Sequence, residues 1–494
     1  MIPAVSVLLA ASAGFGGLRW LRVAQREHYL PGSVTRFALR WWTVDPLNTV
    51  LAVAGAAAAV TAFFWPLAGI VTAAVVAVGP VGLGVRGRTS PLAWTARLRR
   101  VAVAVGVVLA AAAMAAAFLS AGVAAVAALA LPAIVDLALL VLAPVERRLG
   151  SPWVEKAAQA LRESGASVVA ITGSYGKTST KGYVAQLLAG RRQVLASPAS
   201  FNNRMGLARA INEHLSAGVE VFVAEMGTYG PGEIADLCSW IPPDIAVITA
   251  IGPVHLERFG TEERIVESKA EILEKASVAV LNVDDLRLAA LADREEAARR
   301  VIRVGTSPGL DVSVTDGVLS VRGEQVGPIP ETAHPTNVAC AAGVLLALDV
   351  VPDPERVEAL TEPEHRRTIA RGRSGVLIID DTFNSNPQGA CAALAALEAA
   401  EVGGKRVVVT PGMVELGPRQ AEENRCFAAE AARIADRLIV VGRTNRVALV
   451  AGAAEGPAEV MVVVDREEAV EWVRSHLGPE DAVLYENDLP DHYP

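Results

Sequence analysis

The sequence predicts an α-helical membrane domain followed by an α/β region made of two doubly wound units. Three observations carry this prediction. The first 150 residues hold apolar runs of bilayer length separated by arginine-rich stretches. From about residue 151, short β-branched runs alternate with helical stretches, the pattern of βαβ units. The first of those runs leads into a glycine-bearing loop of the phosphate-binding type.

Charge divides the chain at the same place. Twelve arginines, no lysine and four acids (Glu27, Asp45, Asp136, Glu146) give residues 1–150 a net charge of +8. The 494-residue chain carries −8 overall, so the remainder carries −16. With 52% apolar residues and a mean hydropathy of +0.37, disordered and fibrous classes are excluded. The acidic rear lacks the basic face of a nucleic-acid binder. Four cysteines (Cys238, Cys340, Cys391, Cys426) have no paired short spacing, which fits reduced thiols and neither a zinc site nor a disulfide framework.

Five apolar runs are long enough to be read as membrane helices: Ile2 to Leu18, Thr49 to Trp65, Pro66 to Gly84, Val101 to Ser120 and Ala121 to Val145. Arginines follow the first run (19, 22, 26, 36, 40), the third (86, 88, 97, 99, 100) and the fifth (147, 148), whereas the two tight turns carry no charge. The positive-inside rule then places the arginine loops and the whole rear in the cytoplasm, with the N-terminus outside. The charge pattern thus predicts a multi-pass protein of the bacterial plasma membrane. A cleaved signal peptide is the rival reading of the first run, which lacks a charged segment ahead of it. Asp136, inside the last run, is either functional or a partner for a helix neighbour.

Behind this domain, Val168–Ile171, Glu220–Ala224, Ile245–Thr249 and Val278–Leu281 read as buried strands, with helices near 177–189, 204–217 and 263–275. Residues 301–330 read as a small antiparallel addition, followed by a helix around 336–348 and a polar linker over 350–365. A second alternation starts at Gly375, with strands at Val376–Ile379, Arg406–Val409, Leu438–Val441, Val460–Val464 and Ala482–Tyr485. The resulting division is 1–150, 151–362 and 363–494.

The strongest motif is Gly173-Ser-Tyr-Gly176-Lys177-Thr178-Ser179, between a hydrophobic strand and a helix. Glycines let backbone N–H groups approach phosphate oxygens, and the helix N-terminus adds positive charge there. In such a loop Lys177 reaches the β- and γ-phosphates and the Thr178 hydroxyl ligates Mg²⁺. Ile171 stands where the general pattern has a glycine. Glu225, at the end of a predicted strand, is a hard oxygen ligand suited to the same cation.

In this shortened loop, and in an ordered set of further motifs, the chain resembles the Mur ligase superfamily. The set runs through Ala-Glu225-Met-Gly, Val-His255-Leu-Glu-Arg-Phe-Gly, Ser-Lys269-Ala-Glu-Ile, Asn282-Val-Asp-Asp285, His-Pro-Thr-Asn337, His365-Arg366, Asp380-Asp-Thr-Phe-Asn-Ser-Asn-Pro387 and Pro411-Gly-Met-Val-Glu-Leu-Gly417. It covers about 165–420 and is nearest the branch that adds D-alanyl-D-alanine to a cell-wall precursor peptide. The resemblance implies a P-loop-type central ATP-binding domain and a smaller Rossmann-like C-terminal domain. It implies ATP and two Mg²⁺ ions as cofactors, with ligation through an acyl phosphate and release of ADP.

By the same resemblance Gly173, Ser174, Gly176, Lys177, Thr178 and Ser179 cradle the nucleotide, and Asn337 and Asp381 hold its base and ribose. Arg366, with Arg367 as its rival, meets the γ-phosphate. Thr178 and Glu225 hold one metal; His255 and a carbamylated Lys269 hold the second. Asn202 and Asn203, with Ser200 where the family has another Asn, and Asn384 and Asn386 are substrate candidates. Lys177, His255, Lys269 and Arg366 form the implied catalytic set.

Two departures bear on the substrates. Membrane spans stand where related ligases carry a UDP-binding domain, so the acid substrate is a cell-wall or lipid-linked precursor, or else the spans only tether. The C-terminal sequence differs from the Gly- and Ser-bearing tail of the D-alanyl-D-alanine branch, which leaves the amine as an amino acid or a dipeptide. A membrane-anchored ATP-binding scaffold without ligase activity is the alternative reading, and a transporter lacks its own motifs.

Overall fold

The computed structural model describes residues 1–87, 91–198, 201–361, 368–372, 374–382 and 386–494. Among these, the N-terminal region folds into α1 (Ile2–Arg26), α2 (Ser33–Thr43), α3 (Pro46–Thr61), α4 (Gly69–Val78), α5 (Ala96–Phe118), α6 (Ala121–Leu129) and α7 (Leu131–Ser164). Prolines in the first turn start α1, α3 and α7, and the side chains of Asp45, Thr95 and Ser120 cap α3, α5 and α6. The expected boundary at residue 150 falls inside α7, which runs on through Pro144 and Pro152 into the α/β region. The apolar run ends near Val145, but the helix continues on a polar surface.

By length and composition α1 and α5 are each long and apolar enough to cross a bilayer. The pairs α2–α3 and α6–α7 pass that test only together, bent by 112° and 71° at their junctions. The expectation of five spans is therefore corrected to two, or up to four with the bent pairs, among the described residues. Thr49–Trp65 and Pro66–Gly84 became the 16-residue α3 and the 10-residue α4. At 1.5 Å per residue, each is shorter than a hydrocarbon core of roughly 30 Å.

Asp136 has a structural task. Its Oδ1 accepts from the Val34 N–H (3.2 Å), and its Oδ2 accepts from the Thr35 N–H (2.8 Å) and the Thr35 hydroxyl (2.6 Å). These are orphan donors at the start of α2, which lacks a cap of its own. Asp136→Ala is expected to destabilise the protein by about 1–2 kcal/mol, as cap removals do, and to leave ATP affinity unchanged. Thermal unfolding and nucleotide titration of one preparation check both halves.

The central unit contains β1 (Ser167–Thr172), α8 (Lys177–Leu188), β2 (Val194–Ala196), α9 (Arg204–His214), β3 (Val221–Glu225), α10 (Glu233–Trp240), β4 (Ile245–Ile248), α11 (Leu256–Phe259), α12 (Glu262–Ala270), β5 (Val278–Asn282), α13 (Leu286–Glu295) and β6 (Arg300–Gly305). After them come β7 (Val312–Thr315), β8 (Val318–Val321), β9 (Glu324–Pro328), α14 (Pro335–Ala347) and α15 (Pro354–Glu358). The sheet order is β2-β3-β1-β4-β5-β6-β7-β8-β9, parallel as far as β7 and antiparallel from β7 to β9. Apolar residues fill both faces. One face packs on α8 and α14, the other on α9, α10 and the end of α7.

The C-terminal unit contains β10 (Thr368–Arg371), β11 (Leu377–Asp381), α16 (Pro387–Glu398), β12 (Arg406–Thr410), α17 (Gln420–Ile434), β13 (Arg437–Val441), α18 (Arg446–Ala453), β14 (Glu459–Val463), α19 (Arg466–His476) and β15 (Ala482–Glu486). Its order is β10-β11-β15-β12-β13-β14, with only β10 antiparallel among the described strands. No apolar run marks β10 in advance, because its four residues are exposed.

Candidate active site

The fully buried strand end of β1 runs into Gly173-Ser-Tyr-Gly176, and α8 starts at Lys177. Gly176 has φ +77°, and a Cβ there would stand 2.1 Å from Asn337 Oδ1. A Cβ on Gly173 would stand 2.0 Å from Thr249 Oγ1. Both glycines are thus required by neighbours as well as by the turn. The Ser174 N–H donates to the Ala250 carbonyl (2.7 Å), and its Oγ accepts from the Gly252 N–H (3.0 Å), which fastens the loop to the exit of β4. Gly176→Ala is expected to raise the Kd for ATP about tenfold or more, since forcing a side chain into the left-handed region costs about 1–2 kcal/mol before any clash. Equilibrium binding of labelled nucleotide measures it.

Lys177 Nζ donates to the Gly173 carbonyl (2.7 Å), so its ammonium lies over the loop where phosphate oxygens would sit. Parallel pairing of β1 with β3 sets Ile171 opposite Glu225 and brings that carboxylate to the loop. Glu225 Oε2 accepts from Thr178 Oγ1 (3.0 Å) and from Lys181 Nζ (3.1 Å). Asn202 Nδ2 donates to Oε1 (3.4 Å). Burial pushes the Glu225 carboxyl up, but the charges of Lys181 and Lys177 outweigh it and hold the group below its usual range. Two hard oxygens, Thr178 Oγ1 and the Glu225 carboxylate, therefore adjoin the loop, a donor set that fits Mg²⁺ completed by phosphate and water.

A second group lies alongside. His255 takes φ +61° at the start of α11, and its Nδ1 is bonded to Glu415 Oε2. Lys269 of α12 is buried, and burial, then the nearby charge of Lys177, lowers its amine well below the usual range. The charge of Lys269 in turn acts on His255. Lys269 is thus within electrostatic reach of both Lys177 and His255. Among the described residues no three His, Cys, Asp or Glu side chains gather to hold a metal. A second Mg²⁺ fits here only if Lys269 is carbamylated, because an amine offers no oxygen.

The remaining expectations fall out unevenly. Asn337 lies against the loop at Gly176. Asp381 ends β11 in the other sheet. The Gln388 amide lies 3.1 Å from His334 Nε2, which joins the starts of α16 and α14. Asn203 and Asn386 cap α9 and α16 through Gly206 N–H (3.0 Å) and Gly389 N–H (2.9 Å), a local task for both side chains. Arg366, Arg367 and Asn384 lie outside the described residues. Ser179 is buried on α8 beside the loop.

Against known families, residues 171–327 match the Mur ligase middle domain and residues 365–485 the Mur ligase glutamate ligase domain. The UDP-N-acetylmuramoyl-tripeptide–D-alanyl-D-alanine ligase of Mycobacterium leprae is 33% identical over 369 residues, which is 65% of this chain and 70% of the relative. The chain belongs to the Mur ligase family. The Bacillus subtilis ligase of the same name is 27% identical over 344 residues, 66% of this chain and 74% of that one. The crystal structure of the MurF ligase of Thermotoga maritima in complex with ADP superposes with a TM-score of 0.58 at 27% identity, covering 68% of this chain and 80% of that one. This chain is accordingly an ATP-dependent ligase, which sets aside the scaffold reading. Both domain matches begin after the helical bundle.

Sequence reasoning missed three partners in this ligase. Lys181 follows Lys177 by one helical turn, so both face β3; that spacing was the available signal. Glu415 stood inside a quoted motif without a role. Arg258, in the motif after His255, donates to Glu415 Oε1 (2.6 Å). The 411–417 loop presents Glu415 at φ +64° and is held by Asn424, which accepts from the Met413 N–H (2.7 Å).

Proposed function

We propose that this Mur ligase is anchored in the plasma membrane by its bundle and joins an amino acid or dipeptide to a carboxylate of a cell-wall precursor. The observation that carries the reading is a buried Lys269 within electrostatic reach of both Lys177 of the phosphate loop and His255. A protein that only held nucleotide would have no use for a fully buried lysine there. The acid's carboxylate oxygen attacks the γ-phosphorus of ATP, and ADP leaves. The amine nitrogen then attacks the acyl carbon, loses a proton, and expels phosphate.

Lys177 steadies the charge on the transferring phosphoryl group. Thr178 and Glu225 would hold one Mg²⁺, and His255 with carbamylated Lys269 a second; bound there, the ions supply charge neutralisation. Gly173, Ser174, Gly176 and Ser179 shape the cradle, with Asn337 and Asp381 toward the nucleoside. Arg366 is assigned to the γ-phosphate, and Asn202 to the acid substrate near Glu225. Closing the C-terminal unit keeps water from the acyl phosphate.

Membrane anchoring is supported by α1 and α5, whose arginine-bearing ends meet where Arg97 stands over the Tyr29 ring and Arg22 is bonded to Asp491 of the C-terminal unit. Val7, Val107 and Phe118 on these helices are exposed, as a lipid-facing surface requires. The relatives' name makes D-alanyl-D-alanine the first amine to try.

The test uses detergent-purified full chain with ATP, Mg²⁺, bicarbonate, D-alanyl-D-alanine and, separately, pooled amino acids, against soluble and lipid-linked precursor fractions. Acceptor-dependent ADP release and a product heavier by the amine support the proposal. Acceptor-independent turnover, or AMP as product, overturns it.

A further inference from the structure

Four segments distant in the sequence meet in one buried chain of charges. His492 Nε2 lies 3.0 Å from Glu27 Oε1, and Glu27 Oε2 accepts from Arg258 Nη2 (3.0 Å). Arg258 Nη2 also donates to Glu415 Oε1, and Glu415 Oε2 is bonded to His255 Nδ1. Glu27 ends α1 of the bundle; Arg258 and His255 belong to the central unit; Glu415 and His492 belong to the C-terminal unit. The side chains of Glu27, Arg258 and His492 are 5%, 8% and 3% exposed, so all three are largely shielded from bulk water.

We propose that Glu27 is a positioning residue of the ligase, holding Arg258 so that Glu415 and His255 are clamped together and the C-terminal unit is locked onto the central one. Glu27 touches no expected ligand position and acts through Arg258. A buried guanidinium is held only as firmly as its carboxylates allow. Arg258 has two carboxylates, one from each side of the cleft, and its Nη1 has no hydrogen-bond partner. Removing Glu27 leaves its charge answered by Glu415 alone, and Glu415 must then serve both Arg258 and His255.

Neighbouring contacts point the same way. The His28 ring stacks on Tyr229 (centroids 4.9 Å), which meets His255 edge-on (5.0 Å) and carries Arg258 over its face (4.8 Å). Arg36 and Arg40 of α2 both reach Glu257. The end of α1 thus builds one wall of the His255 site. That wall comes from a region outside both family matches, so the bundle completes the ligase as well as anchoring it. The kinetic part of the inference rests on the proposed ligation, whereas the conformational part does not.

The experiment is hydrogen exchange of the detergent-purified full chain with Mg²⁺ and a non-hydrolysable ATP analogue, comparing parent, Glu27→Gln, Glu27→Asp and Glu27→Ala. Glu27→Gln and Glu27→Ala are expected to speed exchange about tenfold in 254–260 and 411–417, the scale of a lost charged hydrogen bond, with α5 unchanged. Glu27→Asp recovers part of the protection. Arg443→Ala, which removes a different bundle-to-C-terminal ion pair with Asp45, leaves 254–260 as in the parent. With acceptor present, Glu27→Gln lowers kcat about tenfold at unchanged KM for ATP. Parental exchange in 411–417, or acceleration confined to α1, overturns the inference. If Glu27→Ala does not fold, the isosteric Glu27→Gln decides. A parent without ligation tells against the proposed function alone, because the exchange comparison still reads the clamp.

Discussion

Replacing Lys269 by alanine is expected to lower ligation about 10²–10³-fold, the cost of losing one fixed electrostatic contributor at a phosphoryl or acyl centre. Short carboxylates such as acetate should restore part of it. The sign follows from burial. Desolvation, helped by the charge of Lys177, lowers the Lys269 amine well below its usual range, so the neutral, nucleophilic form that CO₂ requires is more populated than in an exposed lysine. Carbamylation converts the buried amine into a carboxylate within electrostatic reach of His255. A small carboxylate entering the space left by Lys269→Ala can stand in for it. Intact-protein mass should show one added CO₂ per chain in the parent and none in the variant, and bicarbonate depletion should slow only the parent. Full activity in Lys269→Ala, or no carboxylate rescue with ADP release still absent, would remove the carbamate from the account.

The second large effect separates two lysines one turn apart. Lys177→Ala should lower ADP formation by about 10²–10³-fold with little change in thermal stability, because Lys177 lies over the phosphate loop and is half-exposed. Lys181→Ala should do the reverse at first sight. It strands the buried Glu225 without its ion-pair partner, and unpaired buried charges destabilise by about 3–5 kcal/mol. Thermal unfolding and single-turnover ADP formation, measured on both variants, test the assignment. Equal stability losses in the two would mean that both lysines serve the fold.

Much of the site was readable because its chemistry is local. A strand, two glycines, Lys177 and Thr178 are consecutive, and the phosphate loop needs nothing else to be named. Glu225 was legible as a strand-end acid. The division of labour among charges was not. Lys181 looked like an ordinary helix lysine until pairing of β1 with β3 set it beside Glu225. Asp136 stood open between function and a helix partner until the start of α2 arrived over it. Asn203 and Asn386 looked like substrate contacts, yet their side chains satisfy the first turns of α9 and α16. In each case a polar side chain had several uses, and the choice depended on what came near.

The sequence by itself determined the helical front, the two α/β units and most of their buried strands, since hydrophobic periodicity and turn residues act over a few positions. It also determined the phosphate loop and the order of the family motifs. Tertiary structure alone decided how many helices are long enough to cross a bilayer, because α4 ends at Val78 inside a run the sequence carried on to Gly84, and α2–α3 and α6–α7 bend at their junctions. It alone decided that α7 carries the bundle into the central unit without a break. It alone set Glu27, Arg258, Glu415 and His492 in one line. Such a line joins residues hundreds of positions apart, and no local pattern encodes it. It exists only where three units bury the same few charges and leave them no partner but one another.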